Sequence, residues 1–266
     1  MTTKLKITVP ALVMLFVGTY QPLYGQDVFA VADNVNFFSP DLADKHFNNA
    51  IDLYNKGNID SAAIEYESAL NYHPGHIGAY INLALIKNEL GDKKSAIRYL
   101  TDALIIQPKY SLAHYNLGVI YQEMGWFYEA QKSYNSALEY NDGLAEARTN
   151  LGRIYEALEN PDNALIEYKK ALDIDPDFGL ALLNIGRVFL TQGRYSESLN
   201  YFQKVTKINP TNGVAHFYIA VTYYFLRDYE TSWDQVHLAM EYDSPTDEKF
   251  IRALAAAMPE PPVHLY

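Results

Sequence analysis

The chain has 266 residues, 49% of them hydrophobic and 14% aromatic, with 23 tyrosines and a formal net charge of −11. This composition supports a folded core, and the acidic balance disfavours nucleic acid and anionic membrane surfaces as partners. Cysteine is absent, which excludes disulfides, iron–sulfur clusters, zinc–thiolate sites, a cysteine nucleophile and a lipid-anchoring cysteine.

The first element, residues 1–25, reads as an export signal. Lys4 and Lys6 precede an apolar run from Ile7 to Thr19, and small residues follow, with cleavage after Gly25 or after Ala30. The run falls short of the roughly 20 residues that a membrane-crossing helix needs. The mature protein is therefore expected to be soluble and periplasmic or secreted. Membrane association would come only through a protein partner or an uncleaved signal. Residues 26–42 read as an extended segment.

From Ala43 to Thr246 the sequence falls into six blocks of 34 residues without insertion or deletion: 43–76, 77–110, 111–144, 145–178, 179–212 and 213–246. Position 8 of each block is small (Ala50, Ala84, Gly118, Gly152, Gly186, Ala220), as is position 20 (Ala62, Ala96, Ala130, Ala164, Ser198, Ser232). Position 24 is large in five blocks (Tyr66, Leu100, Tyr134, Tyr168, Phe202) and Val236 in the sixth, and proline closes most blocks at position 32. Each block holds two runs with helical spacing, separated by a turn near position 15 that contains Gly57, Gly91, Gly125 or Gly193. In the fourth block Asn160 can cap and Pro161 suits the first turn of the next helix. A single hairpin of this kind cannot bury both apolar faces, so the blocks must stack.

"NLGVIY", "NLGRIY" and "NIGRVF", followed by "ALIEYKKALDIDP", resemble the signature of the tetratricopeptide repeat. The resemblance implies an all-α, right-handed superhelical α-solenoid. Residues 247–258, with Phe250 and Leu254 in register, would cap it, and residues 259–266 would be a disordered tail. The family's usual tryptophan at position 4 is replaced by His46, Tyr80, His114, Arg148, Leu182 and His216, which weakens packing at individual layers.

In that family the first helices line the concave surface, with positions 2, 5, 6, 9, 12 and 13 facing inward. Position 6 then supplies Asn48, Asn82, Asn116, Asn150 and Asn184. A row of carboxamides can hold the backbone of an extended peptide, or it can serve the fold through local hydrogen bonds. Tyr115, Glu123, Arg153, Glu156 and Arg187 complete the candidate peptide-binding face. Arg153 and Arg187 can share one acidic ligand group, or pair with Glu156 and Glu146 on the surface. Phe47, Ile51 and Tyr54 make one aromatic end and Phe217, Val221, Tyr224 and Phe225 the other, which the cap is expected to cover. The cations of the family's carboxylate-gripping variant are missing in the first three blocks, where Phe47, Ile51, Asn82, Leu112 and Asn116 stand.

No phosphate loop, nucleophile motif or dinucleotide fingerprint occurs, and "HPGH" at 73–76 is a weak metal signal. The chain thus reads as a non-enzymatic scaffold for a protein or peptide ligand, without cofactor, metal or nucleic acid. Self-assembly and a glycan-binding accessory role are the alternatives.

Overall fold

A computed structural model of the chain describes residues 38–259. The expected signal at 1–25, the segment from 26 to 37 and the tail beyond residue 259 lie outside the described residues. Among these, there are thirteen α-helices and no strand. Twelve form consecutive hairpins: α1 (Pro40–Asn55) with α2 (Ile59–Tyr72), α3 (Ile77–Glu89) with α4 (Lys93–Ile106), α5 (Ser111–Glu123) with α6 (Phe127–Tyr140). The series continues with α7 (Ala145–Ala157) and α8 (Pro161–Ile174), α9 (Gly179–Thr191) and α10 (Tyr195–Ile208), then α11 (Gly213–Phe225) and α12 (Tyr229–Glu241). Each second helix also packs on the first helix of the next hairpin, so the six hairpins stack into an all-α solenoid.

The helix ends follow local chemistry. Ser39 caps α1 by accepting from the Leu42 amide at 3.4 Å, and Pro40 occupies the first turn. The segment expected to stay extended to residue 42 therefore winds into helix from Pro40 onward. Asn160 caps α8, accepting from the Asn163 amide at 3.2 Å, and Pro161 opens that helix. Position 15 demands left-handed backbone in all six hairpins. Glycine takes it in four, with φ from 73° to 83°, whereas Glu159 (56°) and Arg227 (64°) take it in the fourth and sixth.

Inside each hairpin the small and large columns meet. A Cβ added to Gly118, Gly152 or Gly186 would lie 2.6, 2.5 and 2.5 Å from the rings of Tyr134, Tyr168 and Phe202 respectively. Those rings are fully buried, and each stabilises the stack by roughly 1.5–3 kcal/mol. Where position 20 is serine, its hydroxyl donates to the carbonyl of position 8: Ser198 to Gly186 at 2.9 Å and Ser232 to Ala220 at 2.8 Å.

In three hairpins position 4 is a polar clasp instead of a weakened packing site, and in the fifth Leu182 is fully buried. His46 pairs with Glu65 at 2.6 Å, Arg148 with Glu167 at 3.1 Å and His216 with Gln235 at 2.7 Å, each joining position 4 to position 23 of its own hairpin. The chain then adds α13 (Glu248–Ala257), capped by Asp247. Its Leu254 is fully buried, Phe250 packs edge-on against Phe217 (5.5 Å) and Tyr224 (5.6 Å), and Trp233 Nε1 donates to the Met258 carbonyl at 3.0 Å.

Candidate functional site

At 100° per residue, positions 2, 5, 6, 9, 12 and 13 of a first helix fall within one arc of roughly a third of its circumference. Alternate helices touch along the first-helix row: α3 with α5, α5 with α7, α7 with α9 and α9 with α11. First helices thus lie closer together than second helices, which makes theirs the inner side of the curve. The candidate residues all sit on this row, distributed over α1, α3, α5, α7 and α9.

The asparagines of position 6 are not alike. Asn48 is exposed, Asn82 and Asn150 are half-buried, and Asn116 and Asn184 are only 6% and 7% exposed. A continuous ladder of five exposed carboxamides is therefore not what this face offers. Position 24 of the preceding hairpin supplies the reason. Asn82 Nδ2 donates to Tyr66 Oη at 3.0 Å, and Asn150 sits beside Tyr134 while donating to Tyr115 Oη at 3.4 Å. Asn116 faces a seam where position 24 is Leu100, and its buried Nδ2 has no hydrogen-bond partner among the described residues. Asn184 accepts from Arg187 at 3.1 Å instead. In the sixth hairpin the asparagine gives way to Tyr218, which stacks on Phe202 at 5.2 Å.

Burial pushes the hydroxyl of Tyr66 up to about 12 and those of Tyr115, Tyr134 and Tyr168 above the usual tyrosine value, so all four stay protonated at neutral pH. Tyr134 Oη donates to Gln122 at 2.9 Å, and Tyr168 Oη donates to Glu156. Further links cross hairpin boundaries: Tyr54 Oη donates to Glu89 at 3.0 Å, and Asn88 and Lys93 both donate to Glu123. Among the described residues neither Arg153 nor Arg187 has a carboxylate within ion-pair distance, so the surface pairing with Glu146 and Glu156 does not form.

Of the two aromatic ends, the C-terminal one is covered in part. Phe250 shields Phe217 and Tyr224, while Phe225 remains 49% exposed and stacks on Tyr195 at 5.3 Å. Among the described residues no cluster of three histidine, aspartate or glutamate side chains is arranged to hold a metal ion, and no helix is long and apolar enough to cross a membrane.

Models of the tetratricopeptide repeat match residues 47–111, 110–177 and 179–212, together well over half of the chain. The chain belongs to the tetratricopeptide-repeat family. No curated protein sequence matches it. Among solved structures, Pseudomonas aeruginosa PilF superposes with a TM-score of 0.70 at 17% identity, over 80% of this chain and 97% of PilF. PilW, titled a widely conserved type IV pilus biogenesis factor, gives 0.70 at 18% identity, over 81% of this chain and 100% of PilW. YrrB, titled a tetratricopeptide-repeat protein with an unusual peptide-binding site, gives 0.54 at 22% identity, over 66% of this chain and 91% of YrrB. At these identities the likeness is one of fold.

Sequence reasoning missed the seam between successive tetratricopeptide-repeat hairpins. Its signal was available: tyrosine at position 24 is followed 16 residues later by asparagine at position 6 of the next block. The two columns meet only when successive hairpins stack.

Proposed function

We propose that the chain is a non-catalytic scaffold that captures an extended peptide, or a helix, of a protein partner along the row of first helices. The reading rests on one observation above all: that row keeps an accessible face in every hairpin, with Asn48, Glu89, Glu123, Arg153, Leu180 and Val214 all exposed. Asn82, Asn150, Tyr115, Glu156 and Arg187 complete the contact surface, and Asn116 and Asn184 lie just beneath it. A role in envelope assembly or secretion is supported by the export signal expected at residues 1–25 and by the pilus-biogenesis title of PilW, whose fold this chain shares.

Site-specific photocrosslinking in the native cell envelope tests the reading. A photoreactive residue at Asn48, Glu123 or Arg153 should trap a polypeptide, while one at Ile64 or Tyr128, which are exposed on second helices, should not. Polypeptide adducts from the second-helix positions alone would overturn it. Adducts consisting of a second copy of the chain would replace it with self-assembly.

A further inference from the structure

The charges on the first-helix face are unevenly employed. Its carboxylates are largely engaged from within the fold: Glu89 by Tyr54, Glu123 by Lys93 and Asn88, Glu156 by Tyr168. Its two guanidinium groups, the only cations at the inward positions, are not. Among the described residues, exposed Arg153 makes no hydrogen bond or ion pair, and Arg187 has only the neutral Asn184 carboxamide. Both occupy position 9, on the adjacent helices α7 and α9. They stand at the same register on contacting helices, and both lie within electrostatic reach of the buried Tyr168 hydroxyl, as does the Glu156 carboxylate. Among the described residues neither guanidinium has a carboxylate at ion-pair distance, in a chain whose acids outnumber its bases by 32 to 21.

Toward the C-terminal end the same face turns apolar. Leu180 is 56% exposed, Val214 42% and Phe225 49%, whereas Phe217 and Tyr224 of α11 are covered by Phe250 of α13. Leu180 and Arg187 lie two turns apart on the same face of α9, so the cationic and apolar zones are continuous. A guanidinium pair bound to a carboxylate gains specificity from its fork of donors, and exposed leucine and aromatic side chains gain from being covered.

We infer that the partner segment carries a carboxylate flanked by apolar side chains, the carboxylate lying between Arg153 and Arg187 and the apolar groups resting on Leu180, Val214 and Phe225. This rests on the scaffold reading above and names the chemistry of its ligand. The remaining net negative charge acts over a screening length of about 8 Å at physiological salt. It therefore selects against a polyacidic run while leaving a single acid among apolar residues favourable.

Three short fluorescent peptides test the inference with the full chain: leucine and phenylalanine flanking one glutamate, and the same peptide with glutamine or lysine in its place. Anisotropy titration should show the glutamate peptide binding about tenfold or more tighter than the glutamine peptide, with the lysine peptide weakest. Arg153→Gln combined with Arg187→Gln should abolish that preference at unchanged far-UV circular dichroism, and Arg153→Lys with Arg187→Lys should restore part of it. Leu180→Asp should weaken all three peptides. Charge-blind binding, or a glutamate preference that survives the double glutamine variant, overturns the inference and leaves the scaffold reading standing. Failure of all three peptides to bind overturns both.

Discussion

Gly186→Ala measures how tightly the hairpins close. The added Cβ would lie 2.5 Å from Cε1 of Phe202, inside any tolerated contact, and that ring is fully buried and stacked on Tyr218 of the next hairpin. The ring must move, at an overpacking cost of about 1–3 kcal/mol. Replacing a mid-helix glycine by alanine returns about 1 kcal/mol of helix propensity. The net expectation is a loss of up to about 2 kcal/mol. Phe202→Leu alone should cost up to about 1.5 kcal/mol as a near volume-conserving change. The double variant recreates a pair the chain already uses, Ala84 with Leu100, both fully buried in the second hairpin. It should therefore be more stable than the sum of the single changes, by a coupling of about 1–2 kcal/mol. Urea titrations followed by far-UV circular dichroism, with tryptophan fluorescence as a second probe, read all four proteins. Gly186→Ala at or above parental stability, together with additive behaviour of the double variant, would refute the reasoning.

Other expectations follow from single contacts. Glu159→Gly removes a left-handed conformation from an L-residue and should raise stability by about 1 kcal/mol in the same titration, whereas Gly125→Glu should lower it comparably. Asn116→Leu removes a buried amide nitrogen without a partner and should be neutral or stabilising, while Asn82→Leu strips the partner from the buried Tyr66 hydroxyl and should cost about 1 kcal/mol; the opposite order would remove the tyrosine account of the asparagine row. Leu254→Ala should cost about 2–5 kcal/mol and increase binding of a hydrophobic dye, because it loosens α13 from the last hairpin. Neutral His76 caps α3, its Nδ1 accepting from the Ala79 amide at 3.0 Å, and burial holds it below its ordinary value of 6.5 despite Asp44. The unfolded chain then binds the extra proton more readily, so this contribution is complete above pH 6.5 and is lost as pH falls below it. His73, also lowered by burial, adds to the same trend. His76→Asn, which keeps a capping oxygen, should flatten the acid side of a stability-against-pH profile, and an unchanged profile would rule the cap out as its source.

The architecture was legible in the residues because each hairpin repeats one local packing problem. Glycine or alanine at position 8 and a ring at position 24 touch within a single block, so the columns announce both the helices and their crossing. The turn at position 15 was legible for the same reason where glycine stands, but Glu159 and Arg227 carry no such mark. Register alone forces them into the left-handed region. The cap was readable from Phe250 and Leu254, whereas the start of α1 was placed too late, since Ser39 and Pro40 lie outside the repeating columns and act only through local capping.

The candidate face was less legible because its contacts join residues of different blocks. Whether Asn82 serves a ligand or the fold depends on Tyr66, which belongs to the preceding hairpin and approaches only when the two stack. The absence of a partner for Asn116 depends on Leu100 in the same way. Arg153 has Glu156 three residues on in its own helix, a spacing at which ion pairs form, yet the Tyr168 hydroxyl holds that carboxylate and the guanidinium stays open. Periodicity in the chain determined what repeats and which side of each helix turns inward, because those are properties of one hairpin. Tertiary stacking decided which inward groups are sealed, tied or free, because hydrogen bonds and burial across a seam depend on distances that no single hairpin contains.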